Sequence, residues 1–150
     1  MVRKMSYKEL LREGLIKPFK APDKQIRSRM VLADRDIRTA RMIMASDWDW
    51  GFSIAYNAIL QAARALMFSK GYRPTGGEGQ HIAAVRFAEI ALGKQLGEEV
   101  YIFDKMRSKR HRVIYDAAGL ISEQEARQAF KFAQKFVKII KGHLRETGKR

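Results

Sequence analysis

The stretch Trp50–Ser69, WGFSIAYNAILQAARALMFS, decides the fold. Within it Gly51, Ala55, Ala58, Ala62, Ala65 and Ser69 recur at alternating intervals of four and three, so a helix brings them onto one line. A seam of small side chains lets a second helix backbone come close. Ile54, Ile59, Leu66 and Met67 cover other faces. A helix that is apolar on several sides is surrounded by protein, which makes this one central to a bundle. Asn57, Gln61 and Arg64 interrupt the run, so it falls short of the ~18 uncharged apolar residues that a membrane span requires.

Outward from this helix the spacing stays helical. Upstream, Asp47 or Asp49 stands where a side chain can cap it. Before that, Ile26, Met30, Ala33, Ile37, Ala40 and Met44 form one apolar stripe from about residue 23 to 45, with Arg27, Arg35, Arg38 and Arg41 on other faces. Ser6 and Glu9 have capping-box spacing and predict a short helix closed by Gly14, after which Pro18 and Pro22 mark a linker. Residues 1–22 are thus expected as a short helix and linker, and residues 23–150 as the bundle. Downstream, the run Gly71 to Gly79 breaks the central helix, and a short buried helix follows over 81–92. Gly93 and Gly97 bracket a turn before a helix over 98–116. Ser122 and Glu125 open a last helix to about Arg145, with Ala126, Phe130, Ala133, Val137 and Ile140 inward and Lys131, Lys135, Lys138 and Lys141 outward. No run alternates strictly, so no strand is expected. The sum is an all-α protein, an antiparallel up-and-down bundle of four or five helices.

Composition narrows the chemistry. With 150 residues the chain is one ordinary domain, and with no cysteine it can form neither disulfides nor thiolate metal sites nor a cysteine nucleophile. Thirty Lys and Arg against sixteen Asp and Glu give a net charge of +14, spread over both halves of the chain. Such a field attracts nucleic acid, nucleotides or an acidic protein. Met1-Val2-Arg3-Lys4 leads into no apolar segment of a secretory signal, so a cytoplasmic protein with no membrane role is expected.

The densest charge lies in Lys105-Met106-Arg107-Ser108-Lys109-Arg110-His111-Arg112. On a helix, Val100, Ile102, Phe103, Met106, Val113 and Ile114 share one face, and Lys105, Lys109 and Arg112 point away from it. Arg110 does not. It falls inside the apolar sector, where a guanidinium is costly unless an anion meets it. Two readings follow. Either Arg110 is a buried ion-pair partner of an acid of this chain or of a partner subunit, for instance Asp116, Asp104 or Asp47, or it grips a phosphate in a polar groove with His111 assisting. Arg107 and His111, four residues apart, flank the same sector, and Tyr115 lies one turn beyond His111.

Two other patterns carry less. Gly76-Gly77-Glu78-Gly79 lacks the Gly-Lys-Ser/Thr ending of a phosphate loop and follows no expected strand. Glu78 and His81 have the Glu-x-x-His spacing of di-iron bundles, but no second copy exists, so no metal site and no cofactor are expected.

Read together, Asp49-Trp50, Ala55-Tyr56-Asn57-Ala58, Ala63-Arg64-Ala65-Leu66, Gly71-Tyr72, the basic segment Met106 to Arg112, Tyr115-Asp116 and Ile121 to Ala126 resemble the HEPN family (higher eukaryotes and prokaryotes nucleotide-binding domain). The likeness is to its small stand-alone prokaryotic members and spans roughly residues 25–145. It implies a helical bundle that forms a homodimer, with a polar groove near the interface, and a minimal nucleotidyltransferase as partner in a toxin–antitoxin-like pair. Active members are metal-independent RNases with an arginine, a polar residue and a later histidine. Arg110 matches the arginine and His111 the polar position, but Tyr115 stands where the closing histidine belongs. An ordinary tyrosine, with a pKa near ~10, is a poor base at neutral pH. The leading expectation is therefore binding of RNA or a nucleotide through Lys105, Arg107, Lys109, Arg110 and Arg112. The alternatives are an endoribonuclease using Arg110, His111 and Tyr115, and a non-catalytic scaffold for an acidic protein.

Overall fold

The computed structural model describes residues 5–77, 79–116 and 118–148. Two capping boxes begin and end the helical order. Ser6 and Glu9 exchange hydrogen bonds to open α1, Tyr7–Arg12, and Ser122 and Glu125 do the same for α6, Glu123–Glu146. Between them lie α2, Asp23–Met44, α3, Trp48–Ser69, α4, Gln80–Leu92, and α5, Gly97–Tyr115, with one 3-10 turn at Lys94–Leu96 before α5. The protein is an all-α bundle built on five long helices.

The central helix is α3. It packs against α2, α4, α5 and α6, and it is buried on every side from Gly51 to Met67 apart from Ile54, Asn57 and Arg64. Asp47 caps it, its carboxylate accepting the Trp50 backbone N–H at 3.0 Å. Asp49, the other candidate cap, instead accepts from Gly119 N at 2.6 Å and Ile121 N at 3.1 Å, tying the loop after α5 to the start of α3. The small-residue seam opens at Gly51, where an added Cβ would sit 2.9 Å from the Met44 Cα. Only a glycine lets α2 turn back onto α3 that closely.

Four sequence expectations need correction. Ile16–Pro18 (β1) and Tyr72–Pro74 (β2) form a two-stranded antiparallel ladder with Ile16 opposite Pro74 and Pro18 opposite Tyr72. Each strand is three residues long and ends in proline, too short for alternation to register. The ladder, with buried Leu10 and Ile16, lays residues 10–18 against the bundle. Along α2 the fully covered position is Asp36 rather than Ile37, because Asn57 donates to its carboxylate at 2.8 Å and Arg35 pairs with it at 2.9 Å. On α5, Ile114 is 41% exposed and not core, since Val113 is the last residue of that helix packed against the body and Ile114 and Tyr115 turn to solvent. On α6 the inner face is wider than the expected stripe, adding Phe132, Phe136 and Leu144, while Phe130 is only half-buried.

Candidate functional site

The basic segment of α5 is divided among three surroundings by helix geometry. Arg107 and Arg110, three residues apart, turn toward α3 and α4. The Arg110 guanidinium carbon lies 5.6 Å from the centroid of the fully buried Tyr56 ring, and Arg110 Nε is buried with no hydrogen-bond partner. Arg107 donates through Nε to Asp104 at 2.8 Å. Among the described residues no ion pair takes Arg110; Asp104 is held by Arg107 and Asp47 caps α3. A cation–π contact offsets part of the cost of burying that charge, on the order of 1–2 kcal/mol, and leaves the Nε donor unmet.

Tyr56 extends the cluster to α4. Its hydroxyl lies 2.9 Å from His81 Nδ1 and the two rings are nearly parallel, 15° apart. His81 stands in the first turn of α4, which Gly79, at φ +91°, allows the chain to enter sharply. Burial first, then the charges of Arg110, Arg64 and Arg107, push the His81 pKa down to about 4. The imidazole is therefore neutral at pH 7. Burial likewise raises the Tyr56 hydroxyl well above its usual range, against the opposing pull of Arg110, Arg107 and Arg64. Tyr56 stays a neutral hydroxyl. The group is thus three arginines, one neutral imidazole and one phenol, with Asp104 as the carboxylate beside Arg107.

The other basic side chains face elsewhere. Lys105 lies over the Tyr101 ring at 5.6 Å, and Lys109 pairs with Glu125 of α6 at 3.2 Å. Together with the exposed Arg112 they line a groove of about 560 Å³ between α5 and α6, floored by Phe52, Met106 and Phe132. His111 and Tyr115 form a third set, both exposed, their rings 4.7 Å apart. Arg110 and His111 are sequence neighbours, but about 100° of helical rotation separates them. The imidazole grouped with Arg110 is that of His81.

Sequence reasoning did not select Tyr56, Arg64 or His81. Two signals pointed to them: the polar interruptions of an otherwise apolar α3, and a histidine opening a helix expected to be buried. Among the described residues no three His, Asp or Glu side chains stand close enough to hold a metal ion, and Glu78 of the Glu-x-x-His spacing lies outside the described residues. No described helix is long and apolar enough to cross a membrane.

Comparison with known proteins adds two findings. The family model described as HEPN domain matches residues 27–143. The crystal structure of TT1696 from Thermus thermophilus is similar in fold, with a TM-score of 0.60 at 20% identity over 79% of this chain and 97% of that one. No curated protein matches the chain.

Proposed function

Because the chain belongs to the HEPN domain family, whose membership supports a nucleotide- or RNA-related function, we propose that it binds RNA or a nucleotide through the inner face of α5, with Arg110 at the centre. The observation that carries this reading is the Arg110 guanidinium, set among Tyr56, His81 and two further arginines with its Nε–H unmatched. A phosphate oxygen supplies the missing acceptor and offsets the mutual repulsion of the cations. Lys105, Lys109 and Arg112 extend the positive surface along the same helix toward α6. In this reading the protein is a homodimer and pairs with a minimal nucleotidyltransferase in a toxin–antitoxin-like system. The exposed Tyr101, Ile114 and Tyr115 of α5 offer apolar surface for such contacts.

The test is fluorescence anisotropy of a labelled single-stranded RNA across a salt series. Affinity is expected to fall steeply with salt, as counterion release requires, and Arg110→Ala to weaken binding by about tenfold or more while circular dichroism stays native. Binding insensitive to salt, or equally tight in a folded Arg110→Ala variant, contradicts the reading.

A second reading, a metal-independent endoribonuclease, draws on the neutral His81. With its proton on Nδ1 and donated to Tyr56 Oη, His81 Nε2 is free to accept the proton of a ribose 2′-hydroxyl that attacks phosphorus, while the bond from phosphorus to the 5′-oxygen of the next nucleotide breaks and that oxygen takes a proton from water. With the proton on Nε2 it is instead a donor to a phosphate oxygen, and the site only binds. Incubation with RNA in a chelator separates the two. Fragments ending in a cyclic phosphate, absent in His81→Ala but present in His111→Ala, favour cleavage through His81, whereas loss in His111→Ala returns the role to the exposed imidazole.

A further inference from the structure

A second cationic pocket lies on the other side of Arg64. It is a groove of about 460 Å³ between α2, α3 and the β1–β2 ladder, lined by Arg29, Arg64, Arg73, Gln80, Phe19 and Phe68 among others, and no carboxylate belongs to its described lining. The way its arginines are held is informative. Arg29 donates through Nη1 to the Oε1 of buried Gln61 at 3.0 Å, and Arg64 donates through Nη2 to Gln80 Oε1 at 3.4 Å. Neutral amides orient a guanidinium without cancelling its charge, whereas a carboxylate would do both. Burial, and then the charge of Arg29, disfavours the protonated form of Arg64. The pocket therefore gathers positive charge that no carboxylate of its described lining balances.

Its apolar walls come from the ladder and α3. Phe19 is fixed by its backbone N–H, which donates to Gly71 O at 2.8 Å, and its ring meets Phe68 at 5.1 Å. Arg73 lies over Phe19 at 5.1 Å and Arg29 over Phe68 at 5.7 Å. A volume of this size lies in the range of small-molecule sites. A monoanion would leave two of three cations unbalanced.

We propose that this pocket binds a phosphomonoester dianion, either the phosphate of a free mononucleotide or the 5′-phosphate end of an RNA strand, with Arg29, Arg64 and Arg73 on the phosphate and the Phe19–Phe68 wall beside the attached sugar or base. The pocket shares Arg64 with the Arg110 group, but Arg29 and Arg73 belong to it alone, so variants of those two test it apart from the function proposed above.

The experiment is calorimetric titration of the full chain with adenosine 5′-monophosphate against adenosine, and with a short 5′-phosphorylated oligoribonucleotide against its 5′-hydroxyl counterpart. The phosphorylated form of at least one pair is expected to bind about tenfold tighter or better. That preference is lost in Arg29→Gln and in Arg73→Gln, the latter at an exposed position that tolerates change, and persists in Arg110→Ala. Preference for the mononucleotide assigns the pocket to a free nucleotide, and preference for the strand to an RNA end. No preference in either pair, a preference that survives Arg73→Gln, or one lost only in Arg110→Ala overturns the proposal.

Discussion

The guanidinium of Arg110 rests on the ring of Tyr56, 5.6 Å from its centroid, and Tyr56 in turn reaches His81 at 2.9 Å. Three helices meet through these two contacts. A cation from α5 is packed on a phenol from α3, whose hydroxyl is fixed by an imidazole from α4. The same arrangement sets the protonation of His81 and leaves a donor of Arg110 without an acceptor.

The His81 environment gives a pH dependence of definite sign. Its folded-state pKa is about 4, against 6.5 for an unperturbed histidine. Between those values the unfolded chain binds a proton that the folded chain does not, so stability is lost as pH falls through this window and is complete above it. His143, lowered chiefly by burial and then by Lys70, acts with the same sign. Thermal denaturation between pH 7 and 4 is therefore expected to show a falling Tm, and His81→Gln to flatten the slope in part. An unchanged slope in that variant refutes the assignment.

Gly51→Ala tests the α2–α3 seam. Helix propensity alone favours the alanine by about 1 kcal/mol. The new methyl, however, meets the Met44 Cα at 2.9 Å and Cγ at 3.0 Å, and the backbone atom cannot swing aside. Overpacking of this kind costs about 1–3 kcal/mol, so a net loss of stability is expected in urea denaturation. A stabilised variant would show that the two helices can part without penalty.

Asp36 and Asn57 form a polar contact between those helices, at 2.8 Å. Asp36→Ala leaves the Asn57 amide without its acceptor inside the seam, at an expected cost of about 1–3 kcal/mol. Added to Asn57→Ala, the same change should cost less than it does alone, giving a coupling of about 0.5–3 kcal/mol in a double-mutant cycle. Strict additivity would mean that the pair contributes nothing to the seam.

Arg112 separates surface attraction from the inner site. It is exposed, takes part in no ion pair among the described residues, and borders the groove between α5 and α6. If it meets an RNA phosphate, Arg112→Ala lowers the slope of log affinity against log salt by about 1 and weakens all sequences alike. An unchanged slope removes Arg112 from the interface.

Much of the bundle was legible in the chain. The seam from Gly51 to Ser69 and the boxes at Ser6 and Ser122 report local geometry, and periodicity reads local geometry well. The β1–β2 ladder was not legible, because it joins residues such as Ile16 and Pro74 that no local pattern links. Asp36 escaped for a related reason. Its burial depends on Asn57, on another helix, and hydrophobic spacing favoured its neighbour Ile37. The site was half legible. Arg110 stood out as a cation in an apolar sector of its own helix. Its companions Tyr56, Arg64 and His81 come from α3 and α4, and only tertiary packing could select His81 over the adjacent His111.

The most direct measurement is the Arg110 Nε–Hε resonance in heteronuclear NMR spectra, assigned by its absence in Arg110→Lys and followed while single-stranded RNA is added. A saturable shift of that signal, in step with the binding curve, is expected when a phosphate oxygen becomes its acceptor. A signal that stays in place while RNA binds would contradict a role for Arg110 as the phosphate-gripping residue.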